Sequence, residues 1–234
     1  MSAALQPGTR VLRRARWATR LQFTVLGGLA GTWGAHIPSV QAHGGLSAAA
    51  LAGVLLAAGL GSVLTLLFAG RLLAWLGARR LVVVGVLAMG GALAALLVQG
   101  AGLAGLLALG LVLGVGMSLF DVAINTEGAV LEHLGRRAVM SNLHAMFSVG
   151  GMLGAGTVAV LLRLGMPAAV QLAAAGAGAV LVSWVATRGM LASHDGADAH
   201  AKADEAPRAH FAWPRGPLLL IGLLILAGML AEGV

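Results

Sequence analysis

The chain has 234 residues, of which 59% are hydrophobic and 10% are charged, whereas soluble domains average about 25% charged residues. This composition excludes a soluble globular protein, and the absence of cysteine excludes disulfides, thiolate chemistry and cysteine metal sites. The net charge of +7 comes from basic residues placed between apolar segments, a distribution that argues against nucleic-acid binding. We therefore expect an all-α membrane protein that crosses the bilayer several times.

Seven apolar runs follow one another along the chain, and most approach the length of about 20 residues that a helix needs to cross the hydrocarbon core. They cover residues 21–40, 48–69, 81–98, 103–124, 143–164, 168–186 and 218–234. The first run is too long for the hydrophobic segment of a cleaved signal peptide. We predict a six-helix N-terminal bundle and a partial seventh transmembrane helix.

These runs divide the chain into four parts. Residues 1–20 form a basic N-terminal arm, 21–187 the six-helix bundle, 188–217 a polar cytoplasmic linker and 218–234 the partial seventh helix. The linker is rich in Ala, Asp and His and contains prolines, a composition that predicts an exposed connection. The last run reaches Val234 without a polar flank, so we expect the chain to be a truncated part of a longer protein.

The basic residues are distributed unevenly between the two sides of the predicted bundle. Of the 15 arginines and lysines, all but Arg163 precede the first run or lie between runs two and three, four and five, or six and seven. Alternate loops lie on the same side of a membrane, and cytoplasmic loops carry the excess of basic residues. This pattern predicts that the N-terminus and these loops lie in the cytoplasm.

Two of the apolar runs carry polar faces that lipid should exclude. At helical spacing, one face holds Gly114, Ser118, Asp121 and Asn125, and a second holds Ser141, His144, Ser148 and Gly151. An ionised carboxylate near the middle of the bilayer costs about 2.5 to 3.5 kcal/mol or more, so Asp121 must face protein or water. Elsewhere, Gly27 with Gly31 and Gly110 with Gly114 have the small-xxx-small spacing that predicts close helix packing.

Several stretches carry a family resemblance. The sequence GRLLAWLGARR contains Gly70, Gly77, Arg79 and Arg80 in a pattern of two glycines followed by a basic pair. The sequences DVAINTEGAVLEH, which begins at Asp121, and SNLHAMFSVGG combine an acid with Ala-x-Asn and then an Asn-Leu pair with a Gly-rich helical turn. Together they resemble the major facilitator superfamily, and within it the fucose-permease-like branch of bacterial inner-membrane transporters.

The resemblance implies a secondary active transporter that works by alternating access and is coupled to protons. It implies a proton-coupling role for Asp121 and a loop gate that includes Gly70, Gly77, Arg79 and Arg80. The polar residues themselves suggest a small, sugar-like polar solute bound by Asn125, His144, Ser148, His36 and Trp33, with Glu127 as a further gating residue. The implied partners are the solute, protons, the lipid bilayer and a second six-helix bundle. No cofactor, metal or nucleic acid is expected.

Other interpretations of the same residues remain open at this point. Asp121 could make a structural hydrogen bond to Asn125 or His144, and Trp33 could belong to an interfacial belt. The chain could also be an efflux transporter for another small molecule, or a sensor or scaffold that transports nothing. An intramembrane enzyme is the principal rival, but neither H-E-x-x-H nor G-x-S-G occurs in the sequence.

Overall fold

The computed structural model describes residues 8–98 and 102–191, together with Gly216, Leu219, Leu220, Leu223, Leu224 and Ala227. Regular structure in these parts is α-helical, which confirms the predicted all-helical class. The helices are α1 (Thr9–His43), α2 (Ala48–Ala95), α3 (Leu103–Gly135), α4 (Met140–Arg163) and α5 (Ala168–Thr187).

Among the described residues, four helices, α2 to α5, are long and apolar enough to cross a membrane. The count of six spans and a partial seventh stays a prediction. Helix α1 begins at Thr9, whereas its apolar run begins at position 21, so the basic arm is helical from Thr9 onward and continuous with that run.

Helix α2 reverses direction near its middle. Gly77 has φ 73° and ψ 160°, a backbone conformation that residues with a Cβ rarely adopt. The contacts of α3 show the reversal. Gly114 packs against Ala58, in the first half of α2. Gly116, at nearly the same height on α3, packs against Met89, in the second half. The α2 segment before Gly77 therefore runs parallel to α3, and the segment after it runs back.

Helix α1 also packs through glycines, in this case against α4. A Cβ on Gly27 would overlap the backbone carbonyl of Phe147, and a Cβ on Gly31 would overlap that of Gly151. Small residues let helices approach closely in lipid, where no hydrophobic force drives them together. The close packing predicted from the glycine spacing is thus confirmed, and these contacts lie within one chain.

Helix packing is most extensive between α2 and α3 and between α1 and α4, whereas α3 and α4 touch each other little. Helix α5 packs mainly against α2 and also against α1. The described bundle thus contains two tightly packed helix pairs, α1 with α4 and α2 with α3.

One end of the bundle, which we call the basic end, collects the start of α1, the Gly77 turn, the end of α3, the start of α4 and the end of α5. Arg14 Nη2 donates to the carbonyl oxygen of Arg188 at 2.7 Å, and Arg20 Nε donates to Asn142 Oδ1 at 2.7 Å. Within the described ranges, Arg163 alone of the arginines lies at the opposite end. The alternation expected from the sequence is present, and the side of the membrane that the basic end faces stays a prediction.

The chain divides into two compact units, Met1–Ala197 and Asp198–Val234. In the second unit, Leu219 and Leu220 are helical, and their N–H groups donate to the Gly216 carbonyl at 3.1 and 3.3 Å. Most of the predicted linker, residues 192–215, lies outside the described residues.

Candidate functional site

The predicted polar face of α3 is organised around one hydrogen-bonded pair. Asn125 Nδ2 donates to Asp121 Oδ1 at 2.9 Å and to the Asp121 carbonyl oxygen at 2.9 Å. Both residues are half-buried, whereas Phe120 and Ile124 beside them are fully buried in the core. The core side of α3 thus anchors the helix and leaves the carboxylate and the amide on its more accessible side.

The polar face of α4 meets this pair. The His144 imidazole is exposed and lies close enough to the Asp121 carboxylate for a charge interaction. The ring of buried Phe23 holds His144 edge-on, with ring centroids 5.4 Å apart and an interplanar angle of 78°. One turn along α4, exposed Ser148 donates from its Oγ to the His144 carbonyl at 3.3 Å.

The structure therefore brings Asp121, Asn125 and His144 together from two different helices, and Ser148 lies one turn along α4 from His144. This region offers a carboxylate that can gain or lose a proton, an amide that binds it, and an imidazole and a hydroxyl open to a ligand. Among the described residues, no group of three or more His, Asp and Glu is arranged to hold a metal ion.

His36 and Trp33 occupy a different environment. His36 is 0% exposed, and its Nδ1 lies 3.3 Å from Ser39 Oγ. The His36 side chain also lies close to Gln171 of α5. Trp33 is half-buried and packs against the hydrophobic core. His36 thus lies where α1 contacts α5, and the role of His36 and Trp33 in substrate binding stays a prediction.

Two of the predicted gating residues converge on the chain just beyond α5. Glu127 is 4% exposed, and its Oε1 accepts a hydrogen bond from the Leu191 backbone N–H at 2.6 Å. Arg79, two residues after the Gly77 turn, donates from Nη2 to the Met190 carbonyl. An acid of α3 and a base of α2 thus hold two successive residues of the same segment.

The other predicted gating residues are less enclosed. Gly70 and Arg80 are both exposed, and a Cβ on Gly70 would meet open space. Gly77 supplies the reversal of α2 itself.

Sequence reasoning missed two polar contacts that join different parts of the bundle. Glu132 Oε2 accepts from the N–H groups of Val139 and Met140 at 2.8 and 3.1 Å and so caps the start of α4. Buried Gln22 donates from Nε2 to the Ser183 carbonyl at 3.0 Å and ties α1 to α5. A glutamine inside an apolar run was the available signal for the second contact, because buried polar groups require partners.

Two curated proteins are similar to this chain. An uncharacterized MFS-type transporter of Yersinia pestis is 32% identical over 234 residues, which cover 98% of this chain and 56% of the relative. An uncharacterized transporter of Sinorhizobium fredii is 32% identical over 214 residues, which cover 90% of this chain and 54% of the relative. These similarities support membership in the major facilitator superfamily.

The chain spans about half the length of these two relatives. No protein-family profile matches the chain, and no solved structure matches it. The similarity to transporters and the four apolar helices together indicate a multi-pass membrane protein. The fucose-permease-like branch, which the sequence motifs suggest, stays a prediction.

Proposed function

We propose that this chain forms one bundle of a proton-coupled secondary transporter of the fucose-permease-like branch, which moves a small, sugar-like polar solute by alternating access. A second bundle completes the solute site in this proposal, because such sites lie between two bundles near the membrane midplane. The similarity of the chain to two transporters supports the general class. The observation that carries the mechanism is the hydrogen bond of Asn125 to Asp121, with His144 of α4 nearby.

In this mechanism, Asp121 exchanges the coupling proton. The charged carboxylate accepts from Asn125 and attracts His144 across the boundary between α3 and α4. Protonation removes the negative charge and weakens both interactions, so the two protonation states favour different arrangements of the helices. Coupling requires such a difference in free energy between conformations. Hydrogen bonds to the solute come from Asn125 and from two exposed residues of α4, His144 and Ser148.

Glu127 and Arg79 act as the gate at the basic end. They hold Met190 and Leu191, where the chain leaves α5, and thereby connect the Gly77 turn with α3 and the start of the linker. We place the basic end in the cytoplasm of a bacterial inner membrane, because basic residues are retained on that side.

The proposal is tested with the full-length transporter in proteoliposomes that carry an inwardly directed proton gradient. A panel of radiolabelled neutral monosaccharides serves as the probe. The wild type should accumulate one of them against its gradient, and Asp121→Asn should abolish accumulation while retaining counterflow exchange. Glu132→Gln, which neutralises another acid of α3 but keeps an acceptor for the α4 cap, is the matched control.

Accumulation of no panel member by the wild type would overturn the sugar-like substrate. If the Asp121→Asn variant accumulated the solute as well as the wild type does, Asp121 would have no role in proton coupling. Loss of exchange together with accumulation, in a variant that still folds, would assign Asp121 to solute binding.

A further inference from the structure

An apolar groove opens on the outer surface of the bundle, between the second segment of α2 and α5. It has a volume of about 450 Å³, within the range of about 300 to 1,000 Å³ that small-molecule sites occupy. Its floor is formed where Gly90 meets Gly176, whose backbones leave no room for a Cβ on Gly176. Leu87 and Trp184 form part of its rim, and each is 51% exposed.

The groove has the length of one leaflet of a bilayer. Its lining on α5 extends from Ala173 to Trp184, a rise of about 16 Å at 1.5 Å per residue. Half of a hydrocarbon core of about 30 Å is about 15 Å. An extended hydrocarbon chain can therefore lie along the groove within a single leaflet.

The end of the groove at Trp184 is positively charged. The Arg188 guanidinium lies over the Trp184 ring, 4.4 Å from its centroid, and Arg14 Nη2 donates to the Arg188 carbonyl oxygen at 2.7 Å. Both arginines are exposed, and within the described parts of the chain neither pairs with a carboxylate. Arginine binds phosphate oxygens through parallel N–H bonds, and exposed tryptophans favour the depth of lipid headgroups.

We propose that this groove binds an anionic phospholipid, with one acyl chain between the second segment of α2 and α5 and the phosphate at Arg188 and Arg14. An apolar groove of leaflet length that ends in two guanidinium groups matches an amphipathic molecule with a negatively charged head. A zwitterionic lipid gains less there, because its positive group opposes the same arginines. The site lies on the outer surface of the bundle and does not depend on the proposed transport mechanism.

Two variants on different helices test the two parts of the site. Arg188→Gln removes one of the two positive charges that would bind the headgroup. It leaves the backbone carbonyl that accepts from Arg14. Gly91→Leu fills the groove, because Gly91 lines it and a Cβ there meets open space. The matched controls are Arg163→Gln, at the opposite end of the bundle, and Gly178→Leu, an exposed position of α5 outside the groove where a Cβ also meets open space.

The purified chain in detergent is mixed with phosphatidylglycerol or phosphatidylcholine, and retained lipids are counted by native mass spectrometry. We expect the wild type and both controls to retain one phosphatidylglycerol at a concentration where phosphatidylcholine is lost. Arg188→Gln and Gly91→Leu should each lower the bound fraction at least about fivefold. Glycerol phosphate, which has the head but no acyl chain, should not displace the lipid at equal concentration.

Equal retention of the two lipids by the wild type, or equal retention of phosphatidylglycerol by all variants, would overturn the proposal. Displacement of phosphatidylglycerol by glycerol phosphate would show that the acyl chain adds nothing to binding. This result would also overturn the proposal. A dimer that Gly91→Leu dissociates would identify a second copy of the chain as the occupant instead.

Discussion

Glu127 in α3 accepts a hydrogen bond from the backbone N–H of Leu191, which lies 64 residues later, at 2.6 Å. The acid is almost fully buried, and Arg79 binds the carbonyl of the preceding residue, Met190. The short hydrogen bond to a buried carboxyl oxygen therefore fixes the segment that follows α5.

Glu127→Ala should release that segment. The substitution leaves the Leu191 N–H without its acceptor, and loss of a buried hydrogen-bond partner costs about 1 to 3 kcal/mol. Hydrogen exchange followed by mass spectrometry should show faster exchange in the peptide that contains Leu191. Glu132→Ala, the control, should accelerate the peptide with Val139 and Met140 and leave that of Leu191 unchanged. Unchanged protection of Leu191 in Glu127→Ala would contradict the contact.

The α1–α4 interface should tolerate no side chain at Gly27. A Cβ there overlaps the Phe147 carbonyl, so Gly27→Ala must push the two helices apart. Overpacking of this kind costs about 1 to 3 kcal/mol. Thermal unfolding in detergent should show a lower midpoint for Gly27→Ala than for Gly34→Ala, because the Gly34 site on the same helix is open. Equal midpoints would show that the helices do not pack through this glycine.

The reversal of α2 should depend on Gly77 and not on Gly70, the other glycine near the turn. Gly77→Ala places a Cβ at φ 73°, and an unusual backbone conformation of this kind costs about 1 to 3 kcal/mol. Gly70→Ala should be neutral or stabilising by up to about 1 kcal/mol, because alanine favours a helix interior and a Cβ there meets open space. Chemical denaturation measures the change in the free energy of unfolding for each variant. A Gly77→Ala protein as stable as the wild type would contradict the turn.

The orientation of the bundle can be measured with single cysteines, because the native chain has none. His43→Cys lies at the end of α1 and Arg137→Cys at the basic end. We expect a membrane-impermeant thiol reagent to label His43→Cys in intact cells and Arg137→Cys only after the membrane is opened. The reverse pattern would place the basic end outside the cytoplasm.

The sequence predicts those features that single helices determine. Apolar runs become helices because lipid supplies no partners for backbone N–H and C=O groups. The polar face of Asp121 and Asn125 follows from helical spacing, and the structure adds the hydrogen bond between them. The start of α1 at Thr9 could not be read from hydropathy, because a helix can continue into water beyond its apolar run.

Contacts between distant parts of the chain could not be predicted. The pairing of Glu127 with Leu191 depends on how α3 packs against the end of α5. No local pattern in the sequence predicts that these two residues meet. The same holds for His36, whose burial beside Gln171 results from the approach of α5 to α1. A polar residue on a helix face can be identified from spacing, but its partner is set by the tertiary fold.

The two tightly packed helix pairs divide the polar site between them. Asp121 belongs to the α2–α3 pair and His144 to the α1–α4 pair, and the two pairs touch little where α3 meets α4. Backbone contacts through Gly27 and Gly114 hold the two helices of each pair close together, whereas few contacts join α3 to α4. The attraction between Asp121 and His144 therefore acts between the two helix pairs and not within one of them, and a proton on Asp121 weakens it.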